Sequence, residues 1–97
     1  MMYFVRTEVR GGNVDQLAQK IVNREIPPVR GNIVYVTKDG RTGYNLVEAE
    51  SESQARGMFS QYQGYVDVVE VVPIESMGQF IERWKAQHGI TGQAKAA

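Results

Sequence analysis

Four charged residues lie in segments that are otherwise apolar or aromatic, and they are the best candidates for chemistry in this chain: Arg6, Glu8, Glu48 and Glu70. Three carboxylates and one guanidinium in a partly buried cavity could raise the pKa of one carboxyl group, which would then serve as a general base. They could instead bind a cationic ligand, or a hard cation such as Mg²⁺. The plainer interpretation, which we favour, is a hydrated salt-bridge network at a subunit interface. Because removing one charge of a buried pair costs about 3–5 kcal/mol, Glu48 should have a partner or a ligand, and Arg6 is its nearest predicted cation.

Two tyrosines, Tyr35 and Tyr44, extend this candidate site. They are predicted to face each other across a hairpin, where an aromatic pair is typical of packing within a sheet. The alternative is that they form the wall of a site for a planar aromatic ligand. His88, the one histidine, lies near the end of a predicted helix, where the helix dipole alone favours it. No spacing of metal ligands occurs, so we expect neither a metal nor another cofactor.

The composition excludes several classes of protein. Lys plus Arg number 11 and Asp plus Glu number 11, so the formal net charge is zero. A general nucleic-acid binder needs a basic excess, and no nucleic-acid partner is expected. The absence of cysteine excludes disulfides and thiolate chemistry. No apolar stretch approaches the ~18 residues of a membrane span, and Arg6 comes too early for a secretory signal, so we expect a cytoplasmic protein with no membrane partner.

The segments that position these residues follow the order β-α-β-β-α-β and then α, which predicts an α+β fold of the split βαβ, or ferredoxin-like, type. Aromatic and β-branched residues predict strands at 2–10, 32–38, 41–50 and 65–74. Apolar residues at helical spacing predict helices at 14–25, 52–63 and 77–88. Asn13, Ser51 and Ser76 are each followed three residues later by Gln, as in a helix-capping box. We assign residues 1–90 to a single domain and 91–97 to a flexible tail.

The dipeptide Asp39–Gly40 indicates a two-residue type I′ turn between the second and third strands. This turn sets Tyr35 opposite Tyr44, and opposed residues share a face of the sheet. The more compact set is predicted to lie under the helices: Val34, Val36, Gly43, Asn45, Val47 and Ala49. The opposite face, called here the open face, is predicted to carry Phe4, Arg6, Glu8, Ile33, Tyr35, Tyr44, Leu46, Glu48, Val68 and Glu70.

The predicted open face mixes a large apolar area with charges. The split βαβ topology puts the first strand between the third and the fourth, which places Arg6 and Glu8 between Glu48 and Glu70. A monomer rarely leaves such an apolar patch exposed. A second subunit could stack sheet on sheet, or the third helix could fold across its own sheet. We favour the second subunit, which predicts a homodimer formed through the open face.

Three segments carry a resemblance to a known family: "MMYFVRTEVRGGN", "GRTGYNLVEAES" and "YVDVVEVVPI". Together they resemble the domain-of-unknown-function family 3303, a group of small proteins near the dimeric α+β barrel superfamily. The resemblance covers most of residues 2–75 and implies a ferredoxin-like fold and a homodimer whose two sheets enclose a barrel. It implies no activity. The wider superfamily includes cofactor-free monooxygenases, muconolactone isomerases and haem-binding chlorite dismutases. The short linker "REIPPVRG" and the added third helix depart from that pattern. The lack of a histidine pair is a further departure and argues against haem or isomerase chemistry.

Three functions follow as hypotheses. The first is a small non-enzymatic homodimer that binds a ligand or partner in a cavity at the sheet face. The second is a cofactor-free enzyme acting on a small organic substrate, with Glu48 or Glu70 as the base and Arg6 stabilising an anion. The third is an assembly module whose C-terminal helix docks on other subunits. The predicted ligand-binding residues are Arg6, Glu8, Tyr35, Tyr44, Glu48 and Glu70.

Overall fold

A computed structural model of the chain describes residues 1–27 and 31–89. It is an α+β structure with one four-stranded antiparallel sheet and three α-helices, compatible with a ferredoxin-like fold. The strands are β1 (Met2–Val9), β2 (Ile33–Val36), β3 (Thr42–Glu48) and β4 (Val66–Ile74). The helices are α1 (Val14–Val22), α2 (Glu52–Gly57) and α3 (Met77–Gln87). The predicted tail, residues 91–97, lies outside the described residues.

The order of strands in the sheet is β2-β3-β1-β4, so β1 is central and pairs with both β3 and β4. The predicted pairing of Tyr35 with Tyr44 across the β2–β3 hairpin is confirmed. The type of turn was predicted wrongly. A type I′ turn needs a positive φ at both central residues, but of Asp39 and Gly40 only Gly40 has one, of 75°. The N–H of Gly40 donates to the carbonyl of Thr37 at 2.7 Å. Asp39 keeps an ordinary backbone because its carboxylate accepts hydrogen bonds from the Thr37 hydroxyl and the Arg41 N–H, which hold the turn closed.

A β-bulge interrupts the pairing of β4 with β1. Thr7 pairs with Val68, but the preceding residue Arg6 pairs with Glu70, so Val69 is the extra residue of the bulge. The inserted residue shifts the alternation of side chains along β4. Val68 therefore packs against the core, and its predicted place on the open face was wrong. Glu70 lies opposite Arg6 on the open face, as predicted.

The ends of the helices agree only in part with the predicted caps. The hydroxyls of Ser51 and Ser76 accept the N–H of the Gln three residues on, and at Ser76 the capping box is complete. Asn13 makes no side-chain cap, and α1 ends at Val22, before the prolines expected to stop it. The end is a left-handed residue, Arg24, with φ of 60°. The N–H of Arg24 donates to the Ile21 carbonyl, and the N–H of Glu25 donates to the Lys20 carbonyl. These two hydrogen bonds form the Schellman motif.

The hydrophobic core lies between the sheet and α2. Its buried side chains are Tyr3, Val5, Val47, Ala49, Ala55 and Phe59. The sheet members alternate with exposed or half-buried residues along β1 and β3, which confirms the predicted covered face there. Helix α1 contributes no buried residue, and Ile21 and Val22 on its last turn are exposed. The covered face is thus closed by α2 at one side and left partly open beneath α1.

Helix α3 extends away from this core. None of its residues is buried, and its exposed apolar side chains are Met77, Phe80, Ile81 and Trp84. The Cα radius of gyration is 17.6 Å, whereas a compact domain of this length has a radius of about 12.5 Å. Helix α3 therefore does not fold across its own sheet, which removes one of the two predicted covers for the open face.

Candidate functional site

The open face presents an apolar band beside a charged one. Tyr44 lies opposite both Arg6 on β1 and Tyr35 on β2, so all three share this face. The ring that stacks on Tyr44 is that of Phe4, with centroids 6.1 Å apart and planes tilted by 24°. Tyr35 and Ile33, on the edge strand, extend the band and are exposed. The band is a flat aromatic and aliphatic surface open to solvent.

Three of the four predicted charged residues meet beside this band, and we call them the Arg6 cluster: Arg6, Glu8 and Glu70. The Arg6 guanidinium donates to Glu8 at 3.0 Å and to Glu70 at 3.2 Å. Glu8 follows Arg6 by two positions on one face of β1, and the register of β4 brings Glu70 across. Glu8 also accepts the hydroxyl of Thr42 at 3.3 Å. The cluster contains two carboxylates for one guanidinium, so a ligand that supplies positive charge or hydrogen-bond donors suits it.

Glu48 does not join the cluster. It pairs with Met2 at the far end of β1, four positions from Arg6, which is about 13 Å along a strand. Its carboxylate accepts a hydrogen bond from the amino group of Met1 at 2.5 Å. Arg6 is therefore not the cation beside Glu48. In the enzyme hypothesis, this leaves Glu70 rather than Glu48 next to the guanidinium that would stabilise an anion.

A second ion pair, between Arg10 and Asp67, continues the charged band and was missed from the sequence. Asp67 lies opposite Glu8 and hence on the open face, whereas unbroken alternation from Glu70 would place it under the helices. The Nε of Arg10 donates to Asp67 at 3.1 Å. This hydrogen bond, together with the positive charge of Arg10, lowers the pKa of Asp67. The bulge at Val69 is what moves Asp67 to this side, and nothing in the alternation of residues signals it.

The sheet face under the helices holds a separate concavity, which we call the α1 cleft. It has a volume of about 250 Å³. Leu17 and Ile21 of α1 form one wall, Val34 and Val36 of β2 the other, and Phe59 closes the inner end. Val34 and Val36 remain more than half exposed, so the cleft opens to solvent on the β2 side. The sequence predicted these valines to be covered by helices, but α1 does not approach the sheet closely enough to bury them.

A wider groove of about 930 Å³ separates α3 from the end of the sheet. Met2, Glu48 and Ile74 line the sheet side, and Gln79 and Arg83 line the helix side. Because the first three residues lie at one end of the open face, the groove continues that face toward α3. A molecule that binds to the open face and extends into this groove would also contact α3.

His88 has a structural role in the part of the chain that the structure describes. Its ring stacks on Trp84 with centroids 4.1 Å apart, and its Nδ1 lies 2.9 Å from the Trp84 carbonyl oxygen. Within residues 1–27 and 31–89, no three His, Asp or Glu side chains are grouped so as to hold a metal ion. No helix in these same ranges has the length and apolar character required to cross a bilayer.

No family model, curated protein or solved structure matches this chain. Function is therefore inferred from the geometry of the open face and of the α1 cleft.

Proposed function

We propose that this chain forms a homodimer through its open face and binds a small organic ligand between the two sheets. The observation that carries the proposal is the exposure of the apolar band on the open face. Ile33, Tyr35 and Tyr44 are all exposed on it, with Tyr35 at 74%. Contiguous apolar patches of this kind in a soluble protein mark interaction sites.

A second copy is the occupant that the remaining features favour. The open face carries both signs of charge and the formal net charge of the whole chain is zero, so long-range repulsion between two copies is small. A twofold dimer uses the same surface on both copies, so the exposed apolar band would be covered on both at once. Helix α3, which has no buried residue of its own, would then reach over the partner. The resemblance to the dimeric α+β barrel superfamily implies the same arrangement.

The ligand class follows from the chemistry beside the aromatic rings. Phe4 and Tyr44 offer a flat apolar surface. The adjoining Arg6 cluster has an excess of one carboxylate. A planar apolar molecule with a cationic group would stack on the rings and give that carboxylate a partner.

The dimer is tested by sedimentation equilibrium of the full chain and of two matched variants, Tyr35→Glu and Val22→Glu. The two side chains are equally exposed in one copy, at 74% and 73%, but Val22 lies on α1, away from the open face. We expect the wild type and Val22→Glu to sediment as dimers, and Tyr35→Glu to dissociate at least tenfold more readily. A monomeric wild type, or equal dissociation of the two variants, would refute the proposed interface.

The ligand site is tested with benzamidine, a planar aromatic cation, and with benzoate, an anion of similar shape. NMR titration should show benzamidine shifting the resonances of Phe4 and Tyr44, and benzoate shifting neither. Glu70→Gln should weaken benzamidine binding several-fold because it removes the excess carboxylate. Preference for benzoate, or shifts confined to other residues, would contradict the assignment of a cation-binding site.

A further inference from the structure

We propose that the α1 cleft is a second binding site, for a small neutral molecule with an apolar body and one N–H or O–H group. The site lies on the side of the sheet opposite to the open face. It requires neither the proposed dimer nor the Arg6 cluster. The argument rests on the volume of the cleft, its apolar walls and the hydrogen bonding of two asparagine side chains at its floor.

The walls of the cleft favour an apolar body. Leu17 and Ile21 face Val34 and Val36 across it, and its lining contains no charged residue from the part of the chain that the structure describes. Its volume of about 250 Å³ is small for a ligand pocket, since pockets for drug-sized ligands measure roughly 300–1,000 Å³. An apolar cavity of roughly 150 Å³ nevertheless suffices for benzene. One or two fused rings therefore fit.

The floor is polar, and its hydrogen bonds run in one direction. Asn45 is only 3% exposed, and its Nδ2 donates to the carbonyl of Val5 at 3.0 Å. Its Oδ1 accepts from the Nδ2 of Asn32 at 2.9 Å. Because the Val5 carbonyl can only accept, this chain determines which end of each carboxamide is oxygen. Thr7, also buried, lies beside Asn45 at the cleft.

The chain of amides ends in an acceptor that lacks a donor. The Oδ1 of Asn32 is buried and receives no hydrogen bond from the residues that the structure describes. A buried acceptor left without a donor is destabilising, because it has lost its hydrogen bonds to water and gained none in exchange. A ligand that brings an N–H or O–H group to this end of the cleft, with a small turn of the Asn32 side chain, supplies the missing donor. This requirement excludes purely apolar molecules as the preferred class.

Gly43 allows the Thr7 side chain to pack closely against the floor. It lines the cleft between Thr7 and Asn45, and a Cβ atom built on it would lie 2.6 Å from the Thr7 Oγ1. The exposed valines on one wall and the unsatisfied amide at the floor have one common explanation, which is an occupant.

The probes are indole, which carries one N–H group, and benzofuran, which has the same shape with an oxygen in place of that group. Binding to the full chain is measured by NMR titration, following the side-chain amide signals of Asn32 and Asn45. We expect both compounds to bind in the cleft and indole to bind about 3–10-fold more tightly, which is the effect of one hydrogen bond. Asn32→Ala should abolish the difference between the two compounds while leaving benzofuran binding unchanged.

Two neighbouring residues provide the matched variants. Ile21→Trp places a large side chain across the cleft, whereas Val22→Trp places it on the exposed side of the same helix turn. Indole binding should fall at least tenfold in the first variant and remain unchanged in the second, with far-UV circular dichroism verifying that both are folded. Tyr35→Glu should also bind indole normally, which separates this site from the proposed dimer. Absence of indole binding at millimolar concentration, equal effects of the two tryptophan variants, or shifts only on the open face would each overturn the proposal.

Discussion

Gly43→Ala is expected to destabilise the fold through a single steric contact. Gly43 is buried and lies directly opposite Thr7 in the pairing of β1 with β3. A Cβ atom at this position would lie 2.6 Å from the Thr7 Oγ1, and its next neighbour, the Asn45 Nδ2, would be an acceptable 3.6 Å away. The backbone of Gly43 does not have a positive φ, so alanine meets no conformational penalty there. The whole cost should come from the clash with one oxygen.

The magnitude follows from what must move. Thr7 is buried and β-branched, so its hydroxyl can move away only by a rotation that also moves its methyl group within packed surroundings. Overpacking of this kind costs about 1–3 kcal/mol. For a domain of this size, each kcal/mol lowers the melting temperature by about 4–8 °C. In a Thr7→Ala background the offending atom is gone, and Gly43→Ala should cost less than about 0.5 kcal/mol, giving a coupling energy of roughly 0.5–3 kcal/mol.

The assay is urea unfolding of the two single variants and the double variant, followed by far-UV circular dichroism. Fluorescence is unsuitable because the one tryptophan, Trp84, lies on α3, outside the core. Thr7→Val is the control background, since it keeps a branched side chain of the same shape and should preserve the cost of Gly43→Ala. An equal cost of Gly43→Ala in the Thr7→Ala and wild-type backgrounds would show that the clash is not with Thr7.

Three further predictions concern the ends of helices and one ion pair. Arg24→Gly should raise the free energy of unfolding in urea by about 0.5–1 kcal/mol because φ is 60° at this position, and Arg24→Ala, which keeps the left-handed strain, should give no gain. Ser76→Ala removes the acceptor for the Gln79 N–H and should destabilise α3 by about 1 kcal/mol. The helical circular dichroism signal should fall while the unfolding midpoint of the sheet stays constant. A shifted midpoint would contradict the separation of α3 from the core. The hydrogen bond from Arg10 lowers the pKa of Asp67 in the folded state, so its stabilisation is present above the unfolded pKa of about 3.9 and is lost as the pH falls. Asp67→Asn should therefore flatten the acid side of the stability–pH curve, and an unchanged slope would refute the link.

The parts of the fold that depend on local pattern could be predicted from the sequence. Alternation of apolar and polar residues assigned both faces of β1 and β3, and the Asp39–Gly40 turn set the correct register of β2 on β3. The serine caps of α2 and α3 were equally readable, because the capping hydrogen bonds join residues three apart. These signals lie within a few residues of the structure they determine.

The two misses at α1 have different causes. Asn13 has the right neighbours for a cap, yet the short 3₁₀ turn at Arg10–Gly12 delivers the chain to α1 with Asn13 in a conformation that cannot cap it. The apolar stripe of α1 has the period of a buried helix, but no residue of α1 is buried. Periodicity shows which side of a helix is apolar and not how closely that side approaches a sheet.

The sequence predicted which charged residues lie on the open face better than it predicted which of them contact one another. The sequence placed Arg6, Glu8 and Glu70 together correctly because all three lie on strands paired through β1. It placed Glu48 among them wrongly because membership of a face does not determine position along a strand, and only the register shows that Glu48 lies opposite Met2. The α1 cleft gave no sequence signal, since its floor is formed by Thr7, Asn32 and Asn45, which are far apart in the chain.

The bulge at Val69 determines which side chains of the edge strand β4 lie on each face of the sheet. Without the extra residue, the pairing of Thr7 with Val68 would continue as Arg6 with Val69 and Val5 with Glu70. Glu70 would then lie on the covered face beside Val5, which is fully buried, and its charge would cost several kcal/mol there. The extra residue instead moves Glu70 to the open face, where Arg6 is its partner, and leaves Val71 to pack against the core. A regular β4 that kept the pairing of Arg6 with Glu70 would instead place Asp67 opposite Val9 on the covered face. The bulge is therefore what allows both carboxylates to lie on the open face.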